Sequence, residues 1–181
     1  MAIALLSGTV LALAGFLLTS VQGFVLSAHL DAATPLARVL VTKHVAYAIP
    51  TVLLSLFSQS MVIFFFIGTG RLVKDEIVSF PEAERRAALR AIRGFKRKTS
   101  PPATFALLSA IAVFVLGGAV HTKALPPWTH LSASVIAGAT HLWALVAEWN
   151  AFLENGKLMA DPAGYARKRA IAEPERSSFL R

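Results

Sequence analysis

The sequence predicts an all-α protein: a four-helix up-down-up-down transmembrane bundle with both termini cytoplasmic. A basic amphipathic interfacial helix is expected between the second and third spans. Three observations carry this. Of the 181 residues, 55% are hydrophobic and 15% charged, against roughly 45–50% and ~25% in a soluble domain. The charges are gathered: no Asp, Glu, Lys or Arg precedes Asp31, and none falls within 45–70, 99–121 or 124–147. The Lys and Arg residues are divided unevenly between alternate connections, fifteen against three.

Each charge-free run meets the ~20 apolar residues a helix needs to cross ~30 Å of hydrocarbon. A β-barrel would instead show short alternating segments. The first span is read as Ile3–Ala28. It lacks a positive n-region, and its apolar run is too long for a secretory signal, so it is expected to be a mature helix. Asp31-Ala32-Ala33-Thr34-Pro35 joins it to the second span, Leu40–Ile67. Pro50 should bend that span and free a carbonyl for a hydroxyl to satisfy. Phe64-Phe65-Phe66 is expected to face lipid, and Gly68-Thr69-Gly70-Arg71 to end the helix.

The connection 71–100 carries nine of the cationic residues. Ser79-Phe80-Pro81-Glu82 is a capping-box pattern that starts a helix. Leu89 and Ile92 then share a face among Arg85, Arg86, Arg90, Arg93 and Lys96, as in a helix lying on the inner membrane surface. Thr99-Ser100-Pro101-Pro102 should close it. The third span is Ala103–Val120. A short loop with Trp128 as interfacial anchor leads to the fourth, Leu131–Leu153. Residues 1–155 thus form the membrane domain and 156–181 a polar tail. In that tail Asp161-Pro162 and Glu173-Pro174 predict a loosely ordered end.

Orientation follows from the cations. Nine in the 71–100 connection and six in the tail face Arg38, Lys43 and Lys123 on the other side. That places the termini in the cytoplasm and the chain in a plasma (inner) membrane. The formal net charge of +8 is then topogenic, and nucleic acid is not expected as a partner. With no cysteine, disulfides, thiolate metal sites and iron–sulfur clusters are excluded. No phosphate loop, HExxH or Ser/His/Asp arrangement is present, so no catalytic residue is assigned and the chain is not expected to be an enzyme on its own.

Polar residues within the spans recur at helical spacing, which puts them on single faces. His130, Ser134, His141, Glu148 and Asn155 do so in the fourth span. His44, Thr51, Ser55 and Ser58 do so in the second, with Gln59 beside them. Gly8, Gly15, Gln22 and His29 repeat at seven in the first. Such groups should turn away from lipid, toward other helices or a cavity.

Each span brings at least one of the five histidines. At ~1.5 Å of rise per residue, His29, His44, His121 and His130 fall at one level, the outer rim, while His141 lies ~16 Å deeper. A haem held by two histidines needs them at matching depth on facing helices. His44 with His141 fails that condition, and the rim set meets it. His29, His44, His121 and His130 are therefore the candidate cofactor ligands, for haem b or for a divalent transition metal. His141, Glu148, Gln59 and Ser58 are the candidate intramembrane relay, or the wall of a quinone pocket; the alternatives are a buried histidine bonded to Ser55, Ser58 or Gln59 for His141, and an interfacial carboxylate beside Trp149 for Glu148. The general plan is similar to that of small four-helix membrane cytochromes and respiratory anchor subunits, a likeness of architecture alone. Two functions follow. One is a redox membrane protein or respiratory-type subunit with its site at the outer rim. The other is a non-catalytic accessory or assembly subunit, or a small transporter protomer. Lipid, other membrane subunits and quinone are the partners these readings imply.

Overall fold

The structure, a computed structural model, describes residues 1–27 and 34–178, with side chains as far as 172. His29 lies outside the described residues, as do Ala28 and the turn that follows it. The described residues are helical, with no strand among them: α1 (Ala2–Ser27), α2 (Pro35–Glu76), a 3-10 turn (Ile77–Ser79), α3 (Glu82–His121), α4 (Pro127–Ala160) and α5 (Pro162–Ser178). The first four α-helices are long and apolar enough to cross a membrane. Much of their apolar surface points outward; Leu11, Leu17, Leu18, Val21 and Phe24 of α1 are all about half exposed or more. In water such a surface would aggregate, and in lipid it is solvated. The polar stripes turn inward: Thr51, Ser55, Ser58 and Gln59 of α2 and His141, Glu148 and Asn155 of α4 are buried.

Two compact units can be distinguished, one of Met1–Met61 with Pro102–Val146 and one of Val62–Pro101 with Ala147–Arg181. In the first, Phe16, Val52, Ala110, Val113 and Ala137 form a core cluster to which each of α1–α4 contributes. Glycines set how closely the helices approach. A Cβ on Gly15 would stand 2.5 Å from Thr51 Oγ1, and one on Gly8 2.6 Å from Ser58 Oγ. Lipid tails provide no hydrophobic drive between helices, so such small-residue contacts supply much of the adhesion. Threonines neutralise themselves: Thr19 donates to the Gly15 carbonyl at 2.9 Å and Thr51 to that of Tyr47 at 2.7 Å.

In the second unit Phe66 is buried between Phe95 and Phe152, with ring centroids 6.3 and 5.1 Å away. Four local expectations are corrected here. Helix α2 does not end at Gly68–Arg71 but runs on to Glu76. Gly70 is a packing residue rather than a terminator, since a Cβ there would meet Ile92 Cγ2 at 2.8 Å. Of the phenylalanine run, Phe64 is exposed but Phe66 is core. The expected interfacial helix is the first part of α3, which passes through Pro101 and Pro102 unbroken. Its Ala88, Ala91, Ile92, Phe95 and Thr99 are buried in protein rather than laid on lipid. Two prolines remove the partners of the Arg97 and Lys98 carbonyls. Both of those residues are exposed, where water or headgroups can replace the lost bonds.

The tail, expected to be loose, forms α5. Asp161-Pro162 is its start signal. Asp161 Oδ1 accepts from the Gly164 N–H at 2.9 Å, and proline occupies the first helical position, where its missing N–H costs nothing. Arg167 Nε reaches Glu84 Oε1 of α3 at 3.5 Å, and the Tyr165 hydroxyl donates to Glu154 Oε2 at 3.3 Å.

Candidate functional site: a histidine-lined cavity

A cavity of about 870 Å³ lies in the first unit, within the 300–1,000 Å³ range of cofactor and ligand sites. Its wall is largely apolar and drawn from α1 to α4, with Phe16, Val52 and Val113 of the core cluster among its lining. Three imidazoles line it, those of His44, His121 and His130. Among the described residues that line it, none is acidic.

His44 and His130 come together. Their ring centroids are 6.0 Å apart and their planes perpendicular. Each rests against a glycine of another helix: a Cβ on Gly23 would be 3.5 Å from His44 Cε1, and one on Gly117 3.1 Å from His130 Cε1. His130 Nδ1 lies 3.0 Å from the Val113 carbonyl. A carbonyl only accepts, so Nδ1 carries the proton and Nε2 keeps its lone pair, the state of a metal-ligating histidine with its outer partner in place. The Thr19 carbonyl lies alongside the His44 ring. His44 Nδ1 is buried and makes no hydrogen bond, an unfavourable state for a ring nitrogen unless a ligand completes it.

His121 ends α3 and is exposed. It lines the cavity without forming a cluster: among the described residues, no three of His, Cys, Asp and Glu gather as a metal site. Of the rim histidines, the described residues show one close pair, His44 with His130, and His121 in the lining of the same cavity.

His141 is fully buried, and both of its nitrogens are engaged. Nδ1 donates to the Ala137 carbonyl at 2.7 Å, so Nε2 accepts from Ser55 Oγ at 2.6 Å. Its ring packs on Phe16 at 4.4 Å. No lone pair is left for a metal, and its shared proton is held by a fixed tautomer. Gln59 is fully buried with both amide atoms unpartnered, while Ser58 faces Gly8. Glu148 belongs to the second unit and is buried. Relay residues named together from the sequence are thus not shown as one constellation.

Sequence reasoning missed Gly23 as the neighbour of His44 and the Val113 carbonyl as the partner of His130. The first could have been found by pairing residues across the short loop. The second is backbone and leaves no trace in residue type. Comparison with known proteins returns no matching family model, no similar curated protein and no similar solved structure.

Proposed function

We propose that this chain is a redox membrane protein, a small cytochrome-like protein or respiratory-type subunit, that holds a b-type haem between His44 and His130. The observation that carries the reading is the close imidazole pair, His44 with His130, in an apolar cavity. Two imidazoles bound to one metal through nitrogens ~2 Å away would have centroids roughly 6 Å apart, and these stand at 6.0 Å. A bare divalent ion needs three or four protein ligands, and the described residues assemble no such group. Haem would ask the protein for two ligands, which His44 and His130 would provide. When bound it supplies one-electron chemistry. The chain's part is to fix His130 through the Val113 carbonyl, to leave space beside Gly23 and Gly117, and to keep water from the floor with Phe16 and Val52.

The residue pairings support an up-down-up-down course. Gly8 with Ser58, Gly15 with Thr51 and Gly23 with His44 count in opposite directions along α1 and α2. Ser109 with Thr140 and Gly117 with His130 do the same for α3 and α4. His44 with His130 and Ser55 with His141 ascend together, as in parallel α2 and α4. The cation distribution orients this bundle in a plasma membrane, with 71–100 and the tail in the cytoplasm and the cavity toward the outer face.

The test is optical. The full chain, purified in detergent and supplied with haem, should bind it and give a low-spin reduced-minus-oxidised spectrum. His44→Ala and His130→Ala should each abolish that spectrum while helical circular dichroism is retained. A chain that binds no haem, or whose spectrum survives both substitutions, overturns the reading in favour of a non-catalytic accessory or assembly subunit.

A further inference from the structure

A second recess, of about 300 Å³, adjoins the large cavity. Its lining is Leu26, Ala37, Arg38, Val41, Thr42 and His121, of which Leu26, Val41, Thr42 and His121 also line the large one. The two share part of their wall, and their chemistry differs. The large cavity is mostly apolar and holds the imidazole pair. The recess has Arg38 and a third imidazole, that of His121, in its lining. Arg38 makes no ion pair among the described residues, and no described residue lining the recess is acidic. Its carrier α2 begins at Pro35, so Arg38 sits one turn from the helix end, at the level where a long cationic side chain reaches headgroups and water.

Taken together with the haem reading, on which it rests, this arrangement matches a ligand with a flat apolar body and an anionic edge. We propose that the Arg38–His121 recess is the carboxylate subsite of the cavity: it receives the propionate edge of the haem and so sets which way round the haem enters. Arginine binds a carboxylate through paired N–H donors, and such charge-assisted bonds are about twice as strong as neutral ones. His121, which lines the same recess, adds a further donor. The subsite gives His121 a role that the rim-ligand assignment did not: it holds the edge of the cofactor rather than its metal.

The probes are haem and haem dimethyl ester, whose propionates are blocked, titrated into the detergent-purified full chain. The native chain should bind haem about ten- to a hundredfold more tightly than the ester, the range one charge-assisted hydrogen bond is worth. Arg38→Gln, and Arg38→Gln with His121→Ala, should weaken haem and leave the ester unchanged, closing the gap. Arg38→Lys should retain part of it. Equal affinity of the native chain for both probes overturns the subsite and leaves the haem site standing. So does an Arg38→Gln variant that weakens both alike. If Arg38→Gln changes only the anionic phospholipid retained on purification, the recess belongs to a lipid headgroup and the proposal fails. If neither probe binds, the haem reading fails and the subsite with it.

Discussion

Gly15→Ala is the sharpest test of how α1 is held. The new Cβ would stand 2.5 Å from Thr51 Oγ1, 2.8 Å from its Cγ2 and 3.2 Å from its Cβ. Threonine cannot easily turn aside. It is stiff at χ1, its hydroxyl is bonded to the Tyr47 carbonyl at 2.7 Å, and the residue is 9% exposed. Either α1 retreats or Thr51 gives up that bond. Overpacking of this kind costs about 1–3 kcal/mol, and a lost buried hydroxyl bond adds about 1 kcal/mol. Alanine returns ~1 kcal/mol of helix propensity over glycine. The net expectation is a loss of about 1–3 kcal/mol. Gly138→Ala in α4 is the control: nothing lies within 4 Å of its Cβ, so only the propensity gain should appear. Unfolding in a mild detergent, by heat and by denaturant, measures both. Thr51→Ala in the Gly15→Ala background should recover most of the loss. If Gly15→Ala proves as stable as Gly138→Ala, or if Thr51→Ala brings no recovery, the close approach of these helices is misread.

Three further expectations follow from the same contacts. Gly117→Ala should push the His130 ring, whose Cε1 and Nδ1 would lie 3.1 and 3.3 Å from the added carbon; titration should show haem binding weakened by about tenfold or more, the cost of disturbing a ligand's outer support. His141→Ala should destabilise the chain by about 2–4 kcal/mol through a void and two lost hydrogen bonds. In a double-mutant cycle it should couple to Ser55→Ala by about 1 kcal/mol, and additivity would show that their 2.6 Å contact contributes nothing. Asp161→Ala should cost α5 about 0.5–2 kcal/mol, seen as faster hydrogen exchange across Pro162–Ser178 with that of Met1–Met61 unchanged.

The long helices were legible because hydrocarbon leaves a coarse signal, the absence of charge over about twenty residues. The inward stripes were legible for a related reason: one polar face per helix is readable as spacing. Counting rise per residue also separated His44 from His141, and the pairing of His44 with His130 and of Ser55 with His141 follows the same axial arithmetic. Helix ends were not legible where one residue type serves two purposes. Gly70 reads as a stop and acts as a contact, Pro101-Pro102 reads as a break and is absorbed, and Asp161-Pro162 reads as disorder and is a start. In each case a partner distant in sequence, or the exposure of a carbonyl, decides the outcome. Which of the rim histidines meet was likewise beyond spacing alone, since depth does not fix rotation about the helix axis.

The threonines that donate to their own helices have a consequence for how charge is felt in the cavity. Thr19 and Thr51 line it, but their protons are spent on the Gly15 and Tyr47 carbonyls. Little remains in that wall that can reorient around a charge, so its effective dielectric is lower than its hydroxyl count implies. At low dielectric a Coulomb interaction reaches much farther than in water. A charge brought into the cavity is therefore felt at the imidazole pair more strongly than one held at the exposed Arg38, where water screens it.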